Sequence, residues 1–229
     1  LGMTMLGYHG TVGVTLEDMI YHAKHVVKGA PNTFVIGDMP FGTYNVSIED
    51  AVRNANRLFM ESGCDCIKLE GGSDVAPVIK AIVKAGIPVC AHIGLTPQSA
   101  AMMGGFKVQG KSLEAAQELL DSARAVAEAG AFMVVLEGIP KMLADVITEK
   151  ISIPTMGIGA GAGCDMQVLV AQDMLGMNEW VPKFAKKFAD LHKIIIDAYN
   201  EYSKEANART FPDEATQYNA KIEGIENLK

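Results

Sequence analysis

Hydrophobic and polar positions follow one another in blocks along this chain: a polar stretch ends at a glycine, and an apolar run begins within a few residues. The glycines are Gly29, Gly63, Gly86 and Gly130, and the apolar runs that follow them cover residues 33–38, 66–70, 88–94 and 132–137. Glycine is frequent directly after a helix, because that position often has a positive φ. The pattern therefore predicts four helices that each lead into a strand.

Two further apolar runs, at residues 153–158 and more weakly at residues 167–170, predict a fifth and a sixth strand. The runs are continuously apolar, which is typical of strands buried on both faces of a parallel sheet that helices cover. Strands that alternate with helices throughout indicate βαβ units. The predicted fold class is therefore α/β.

Helix starts and one further helix are also readable from the chain. Thr15 with Asp18, and Ser47 with Asp50, have the spacing of capping boxes, in which each side chain bonds the other residue's backbone. After Trp180 the chain becomes helical again, and the predicted helix covers residues 183–204.

A (β/α) barrel is the architecture that this alternation favours. A closed (β/α)8 barrel typically needs eight strands in roughly 250 residues, whereas the chain has six predicted strands in 229 residues. The rival, a doubly wound open sheet, usually carries a glycine-rich nucleotide-binding turn after its first strand, and none follows residues 33–38. We predict a single (β/α) barrel domain over residues 1–229, with C-terminal helices and a polar tail from Asn207.

Composition narrows the class of protein. Hydrophobic residues make up 49% and charged residues 21%, which permits a large core. The net charge of −7 without a cluster of Lys and Arg argues against nucleic acid as the partner, and no apolar run is long enough to span a bilayer. The cysteines lack the spacing of a redox pair or a zinc site and predict free thiols buried in a reducing cytoplasm: Cys64, Cys66, Cys90 and Cys164.

Titratable side chains lie at the C-terminal ends of four predicted strands: Asp38, Lys68, Glu70, His92 and Glu137. In a barrel these ends form the active-site face. Charged side chains rarely enter buried strands unless they are paired or bind a metal. The five residues therefore predict an active site, and the alternative is a structural ion-pair network.

Asp38 and Glu70 are oxygen ligands of the kind that Mg²⁺ prefers. Lys68 and Glu70 are two positions apart on one strand and face the same side, so the alternative is that both carboxylates only pair with Lys68. Burial of Glu137 would raise its pKa toward neutrality and suit it as a general base, unless backbone donors hold it as a carboxylate. His92 binds an anionic oxygen or orients a loop.

Two loops extend this edge of the sheet. Residues 95–111 are long and rich in Gly and Met, and Met102, Met103 and the glycines at 104–105 predict a mobile lid or, alternatively, core filler. The glycine-rich turn at residues 157–161 is weak evidence for phosphate binding and fits a close approach of the backbone to a ligand equally well.

Seven motifs, in order along the chain, resemble the ketopantoate hydroxymethyltransferase family; they lie at residues 37–41, 67–72, 91–99, 104–110, 135–140, 157–161 and 182–184. The resemblance runs from Leu1 to about Phe188. It implies a (β/α)8 barrel that transfers a hydroxymethyl group from 5,10-methylenetetrahydrofolate to 2-oxoisovalerate (3-methyl-2-oxobutanoate) and forms ketopantoate, a precursor of pantothenate. It also implies large cytoplasmic homo-oligomers, commonly decamers.

The resemblance implies roles for individual residues. Asp38 is similar to a magnesium ligand that also meets the substrate, and Glu70 to a second carboxylate of the metal site. Lys68 is similar to the residue that contacts the oxoacid, and Glu137 to the base. His92 joins the predicted substrate-binding residues. No motif identifies a pterin, so residues that bind the folate co-substrate stay unassigned.

Family members carry a further βαβ segment before the point that matches Leu1. The resemblance implies that this segment supplies the first two strands, an aspartate that binds the metal and a serine that helps to hold the oxoacid. We therefore expect that the chain is N-terminally truncated and at best weakly active. Full activity of the 229 residues alone would contradict this expectation.

Two other functions compete with this interpretation. The first is a magnesium-dependent oxoacid enzyme of the phosphoenolpyruvate mutase and isocitrate lyase type. A cysteine in the long loop after His92 would favour it, and residues 95–111 contain none. The second is an inactive truncated barrel that acts only in assembly with partners, which need not bind Mg²⁺ together with an oxoacid.

Overall fold

The computed structural model describes residues 1–228, and these residues contain a parallel sheet of six strands. The strands are β1 (Ile36–Asp38), β2 (Cys66–Glu70), β3 (Val89–Gly94), β4 (Met133–Glu137), β5 (Thr155–Ile158) and β6 (Met166–Gln167). They lie side by side in chain order. The six predicted strands are confirmed, although the first begins three residues later than predicted and the sixth is short.

Helices connect the strands and make the fold α/β. They are α1 (Gly2–Met5), α2 (Leu16–Gly29), α3 (Ile48–Ser62), α4 (Ala76–Lys84), α5 (Leu113–Glu128), α6 (Lys141–Lys150), α7 (Ala171–Met174) and α8 (Leu191–Ala208). Helices α3 to α6 each join one strand to the next, as the predicted βαβ units require. Within the described residues the sheet is open, with β1 and β6 at its edges. An eight-stranded barrel that lacks two strands stays a prediction.

Of the two predicted capping boxes, the first forms both of its hydrogen bonds and the second forms only one. The Thr15 side chain accepts from the backbone of Asp18, and the Asp18 carboxylate accepts from the backbone of Thr15. The Ser47 hydroxyl accepts from the backbone N–H of Asp50 at 3.1 Å. The reciprocal bond is absent, since the Asp50 carboxylate bonds Arg53 and other side chains of its own helix.

The four glycines that were predicted to follow helices differ in their position relative to the helix end. Gly63 caps α3 in the left-handed conformation with φ 75°, and Gly86 and Gly130 follow α4 and α5 with φ of 93° and 101°. Gly29 was wrongly predicted to lie after a helix, because it is the last residue of α2 and Ala30 forms the cap.

Side chains pack on both faces of the sheet. One face meets the helices in a large core that includes Leu58, Ile67 and Leu136. The other face holds a smaller cluster: Cys66, Cys90, Met133, Val135 and Ile158. Successive side chains on a strand alternate between the two faces of the sheet. A residue two positions after Cys66, Cys90 or Val135 therefore also points to the second face. The titratable side chains at the strand ends therefore lie on the second face.

The four cysteines are free and buried, as predicted.

The chain divides into two compact units, Leu1–Leu169 and the residues from Val170 onward. The sheet lies in the first unit. In the second, α8 begins at Leu191 instead of residue 183, because the Asp190 side chain accepts from the backbone of Lys193 and starts the helix there. Residues 209–228 are exposed, as the predicted polar tail requires. None of the helices described for residues 1–228 is long and apolar enough to cross a membrane.

Gly94 at the end of β3 offers a test of how tightly the strand ends pack. Its φ is 93°, and a Cβ there would collide with the carbonyl oxygen of Glu137. We expect Gly94→Ala to lower the free energy of unfolding by about 3 kcal/mol, from backbone strain and overpacking together. Urea unfolding measures the change.

Gly42→Ala is the matched control. Gly42 has φ 82° but no atom within 4 Å of an added Cβ, so only the backbone strain of roughly 1 kcal/mol applies. Equal losses in the two variants would show that the close approach of β3 and β4 has no energetic consequence.

Candidate active site

The strand ends bring all five predicted site residues into one cluster. The register of the sheet sets Asp38 beside Lys68 on β1 and β2, and Glu70 beside His92 on β2 and β3. Glu137 ends β4, next to Gly94 of β3. Because all the strands are parallel, their carboxyl ends meet at one edge of the sheet, as the sequence predicted.

Lys68 lies at the centre of this cluster. Its Nζ is 2.8 Å from Asp38 Oδ1 and 3.7 Å from Glu70 Oε1. Burial by itself would lower the pKa of Lys68, but the two carboxylates outweigh it and the pKa is raised. Lys68 is therefore a charged ammonium at neutral pH. Both carboxylates contact it, as the alternative to a metal site requires, and the metal site itself stays a prediction.

His92 is fully enclosed and its protonation follows from its neighbours. Burial, reinforced by the charge of Lys68, lowers the pKa of His92 to about 4, against the opposing effect of Glu70. The ring is therefore neutral near pH 7. Its Nδ1 lies 3.3 Å from Lys68 Nζ, and an ammonium can only donate, so Nδ1 accepts and the ring hydrogen is on Nε2.

That Nε2 faces the fifth residue. It lies 3.3 Å from Glu137 Oε2, in an arrangement that is not aligned for a hydrogen bond. Burial raises the pKa of Glu137 to about 7, with Lys68 opposing the rise and Asp38 adding to it. The predicted direction of the pKa shift is confirmed. A carboxylate with this pKa can accept or release a proton near neutral pH.

Glu70 is the most tightly held of the three carboxylates. Its Oε2 accepts from the backbone N–H of Gln98 at 2.9 Å, and its Oε1 faces Lys68 and, at 3.9 Å, His92 Nδ1. Burial raises the pKa of Glu70, while the charge of Lys68 works against the rise.

Tyr44 and Gln98 are the site residues that sequence reasoning missed. The Tyr44 hydroxyl donates to Gln98 Oε1 at 2.8 Å, and Gln98 Nε2 donates to the backbone oxygen of Met39 at 2.9 Å. The position of Gln98 in the long loop after β3 was a usable signal. Tyr44 lies in a short polar loop, and nothing in the local sequence marks it.

Asp38 and Glu70 are the side chains that could contribute to a site for a hard cation. The buried Oδ1 of Asp38 contacts Lys68 but makes no aligned hydrogen bond. Across residues 1–228, no group of three or more His, Cys, Asp or Glu side chains is arranged to hold a metal. Mg²⁺ commonly takes only one or two carboxylates and keeps waters or substrate oxygens as its other ligands, so the pair fits this cation.

The two loops singled out from the sequence differ in packing. Met102 is 93% exposed, which rules out core filler at that position, whereas Met103 is half-buried and its Sδ accepts from Thr96 Oγ1. In the glycine turn, Gly161 has φ 84°, and a Cβ there would meet the side chain of Lys141 at 2.6 Å. The close approach of α6 thus accounts for glycine at this position.

Comparisons with known proteins agree on one family. The family model described as ketopantoate hydroxymethyltransferase matches residues 1–214. The protein named 3-methyl-2-oxobutanoate hydroxymethyltransferase in Heliobacterium modesticaldum is 57% identical over 213 residues, which are 93% of this chain and 77% of that protein. Its namesake in Syntrophomonas wolfei is 52% identical over 229 residues, which are 100% of this chain and 83% of that protein.

Among solved structures, a 2,3-dimethylmalate lyase of the PEP mutase/isocitrate lyase superfamily has a similar fold. Its TM-score is 0.52 at 17% sequence identity, over 95% of this chain and 76% of that chain. At this level of identity the likeness concerns the fold alone.

The raised pKa of Glu137 gives a prediction about stability. The folded-state pKa of about 7 exceeds the ordinary 4.5, so the folded state binds this proton more tightly. The free energy of unfolding therefore falls as pH rises from 4.5 to 7. We expect Glu137→Gln to stabilise the metal-free protein by roughly 1–3 kcal/mol at pH 8, and much less at pH 4.5.

Urea unfolding at the two pH values, with a chelator present, measures this effect. Glu128→Gln, at an exposed position of α5, controls for the loss of one negative charge. A Glu137→Gln variant that is no more stable than the parent at pH 8 would contradict the burial argument.

Proposed function

The chain belongs to the ketopantoate hydroxymethyltransferase family, and we propose that it transfers a hydroxymethyl group to 3-methyl-2-oxobutanoate to form ketopantoate. Relatives at 52–57% identity over most of the chain bear the name of this enzyme. The observation that carries the chemistry is Glu137, a mostly buried carboxylate with a pKa of about 7 that lies 3.3 Å from His92 and is influenced by the charge of Lys68. The reaction needs a base that removes a proton from carbon.

We propose Mg²⁺ as the metal, held by Asp38 and Glu70. Both supply carboxylate oxygens at one edge of the sheet, and the buried Oδ1 of Asp38 lacks an aligned hydrogen bond. When bound, the metal would polarise the keto group of a 2-oxoacid and acidify its C3 proton.

Lys68 is the proposed anchor for the oxoacid. Its ammonium is buried and stays charged, so it attracts the negative charge of the substrate carboxylate and of the enolate oxygen that forms. Asp38 holds this ammonium at 2.8 Å and so limits where it can point. The same contact supports the proposal that Asp38 also meets the substrate.

Glu137 is the proposed base. It takes the proton from C3 of the oxoacid, and the electron pair of the broken C–H bond forms the enolate. Because its pKa is about 7, a large fraction is deprotonated at neutral pH while the proton affinity stays high. His92 Nε2 lies 3.3 Å from the Glu137 carboxylate without an aligned hydrogen bond, and this close packing limits the orientations that the carboxylate can take. This contact is neither the binding of a substrate oxygen nor the orientation of a loop, so both predicted roles of His92 stay predictions.

The one-carbon unit completes the reaction. The family resemblance implies 5,10-methylenetetrahydrofolate as donor, and C3 of the enolate forms a bond to its methylene carbon. The two C–N bonds of that carbon break, tetrahydrofolate leaves, and water supplies the hydroxyl oxygen. The loop at residues 95–111 is the proposed lid, and closing it would exclude bulk water from the enolate.

The competing functions receive less support. A lyase of the PEP mutase/isocitrate lyase type shares the fold, but the relatives at 52–57% identity carry the hydroxymethyltransferase name. A non-catalytic remnant would not need Glu137 to be buried beside His92. The homo-oligomer, the decamer and the cytoplasmic location stay predictions.

Deuterium exchange at C3 of 3-methyl-2-oxobutanoate tests the proposal without folate. Proton NMR should show exchange that depends on Mg²⁺, and Glu137→Gln should lower its rate by about 100-fold or more, as expected for loss of a general base. The isosteric Gln keeps the shape of the site but cannot take the proton.

The 229-residue chain is assayed beside a version extended at its N-terminus by the segment that the resemblance implies. Their ratio measures what that segment contributes. Absence of exchange in a folded, metal-loaded extended protein would overturn the proposed substrate. Exchange that persists in Glu137→Gln would move the base to another residue.

A further inference from the structure

Hydrogen bonds link Glu70, Gln98 and Tyr44 in a closed ring. The Gln98 backbone N–H donates to Glu70 Oε2, the Tyr44 hydroxyl donates to Gln98 Oε1, and the Glu70 backbone N–H donates to the Tyr44 hydroxyl at 3.3 Å. The three residues come from the loop after β1, from β2 and from the loop after β3. All three are buried.

The donors and acceptors of this ring can be assigned in only one way. Gln98 Nε2 donates to the backbone oxygen of Met39, so its amide cannot turn over without setting two acceptor oxygens against each other. Met39 follows Asp38, and its own N–H donates to the backbone oxygen of Lys68 at 2.8 Å. Gln98 therefore ties the backbone beside Asp38, through its side chain, to the carboxylate of Glu70, which its backbone N–H bonds.

The ring also decides which oxygen of Glu70 faces the reacting groups. With Oε2 bonded to the Gln98 backbone, Oε1 lies 3.7 Å from Lys68 Nζ and 3.9 Å from His92 Nδ1. A buried hydroxyl and a buried amide are costly unless bonded, and an apolar pair could fill the same volume. What the polar pair adds is a fixed position of the Gln98 backbone N–H, which orients the carboxylate.

We propose that Tyr44 and Gln98, through this ring, are positioning residues that hold the Glu70 carboxylate against Lys68 and His92 in the orientation that the reaction needs. The inference rests on the proposed function for its kinetic consequence. Without the two side-chain bonds the Gln98 backbone N–H is no longer held in place, so Glu70 can rotate away and His92 loses the negative charge next to Nδ1. Glu137, which faces the other nitrogen of the same ring, is displaced in turn. Lys68 keeps its contact with Asp38, so substrate anchoring survives.

Tyr44→Phe and Gln98→Met each break the ring and keep the bulk of the side chain. We expect each to lower kcat of C3 exchange by about tenfold or more, the size found when an orienting partner is lost, with KM within roughly threefold because Lys68 stays in place. Because the residues act as one unit, the double variant should be little slower than the slower single variant.

Thr155→Val is the matched control. Thr155 is also fully buried, and its hydroxyl bonds Thr148 and Asp165, but it starts β5 at the opposite end of the strand from the site. It should lose stability, as Tyr44→Phe does, and keep its kcat.

The nitrogen shifts of the His92 ring provide a readout that does not depend on turnover. We expect them to change in Tyr44→Phe and Gln98→Met and to stay unchanged in Thr155→Val, with His92→Gln identifying the signals. Unchanged shifts in both ring variants, or kcat within twofold of the parent, would overturn the positioning role. The kinetic parent is the N-terminally extended version described above. If that parent is inactive, the proposed function is overturned instead, and the shifts still test the ring.

Discussion

A buried ammonium, Lys68, is the charge around which the strand ends are arranged. Moving a lysine charge out of water is unfavourable, and it persists here because Asp38 and Glu70 reach it from the same edge of the sheet. The same charge helps to keep His92 neutral and forces its Nδ1 to accept. The charge of Lys68 thereby acts on its neighbours together with burial, which is the larger cause of the pKa shifts of His92 and Glu137.

The three carboxylates of the site experience this ion differently, and that difference separates their proposed roles. Asp38 is in direct contact with Lys68, and Glu70 lies slightly farther away with its second oxygen bonded to a backbone N–H. Glu137 is buried without either support, and its pKa reaches about 7. The two carboxylates that contact the ammonium suit charge stabilisation, and the one with a pKa of about 7 suits acid–base work.

Parallel strands make this arrangement possible over a short distance. Every strand ends at the same edge, so residues that are far apart in the chain become neighbours when each ends its own strand. The Gly94–Glu137 approach shows how closely the ends pack, since an added Cβ finds no room there. The chain covers 77–83% of the relatives described above, and all five site residues lie within the region that the family model matches.

The sequence by itself determined the six strands, because continuous apolar runs are a local signal of buried parallel strands. It also determined which five side chains meet. Each of them was predicted at the carboxyl end of a parallel strand, and these ends lie at one edge of the sheet. Where a local signal was incomplete, the prediction failed: α8 starts at Leu191 because of the cap at Asp190, and Asp50 bonds within its own helix instead of closing a box.

Only the tertiary structure decided how the side chains are oriented. The hydrogen on Nε2 of His92 depends on a contact with Lys68, 24 positions earlier in the chain. Tyr44 and Gln98 are 54 positions apart, and Gln98 and Met39 are 59 apart. Hydrogen bonds of this range depend on the relative placement of whole strands and loops, and no periodicity or spacing within a single segment carries that information.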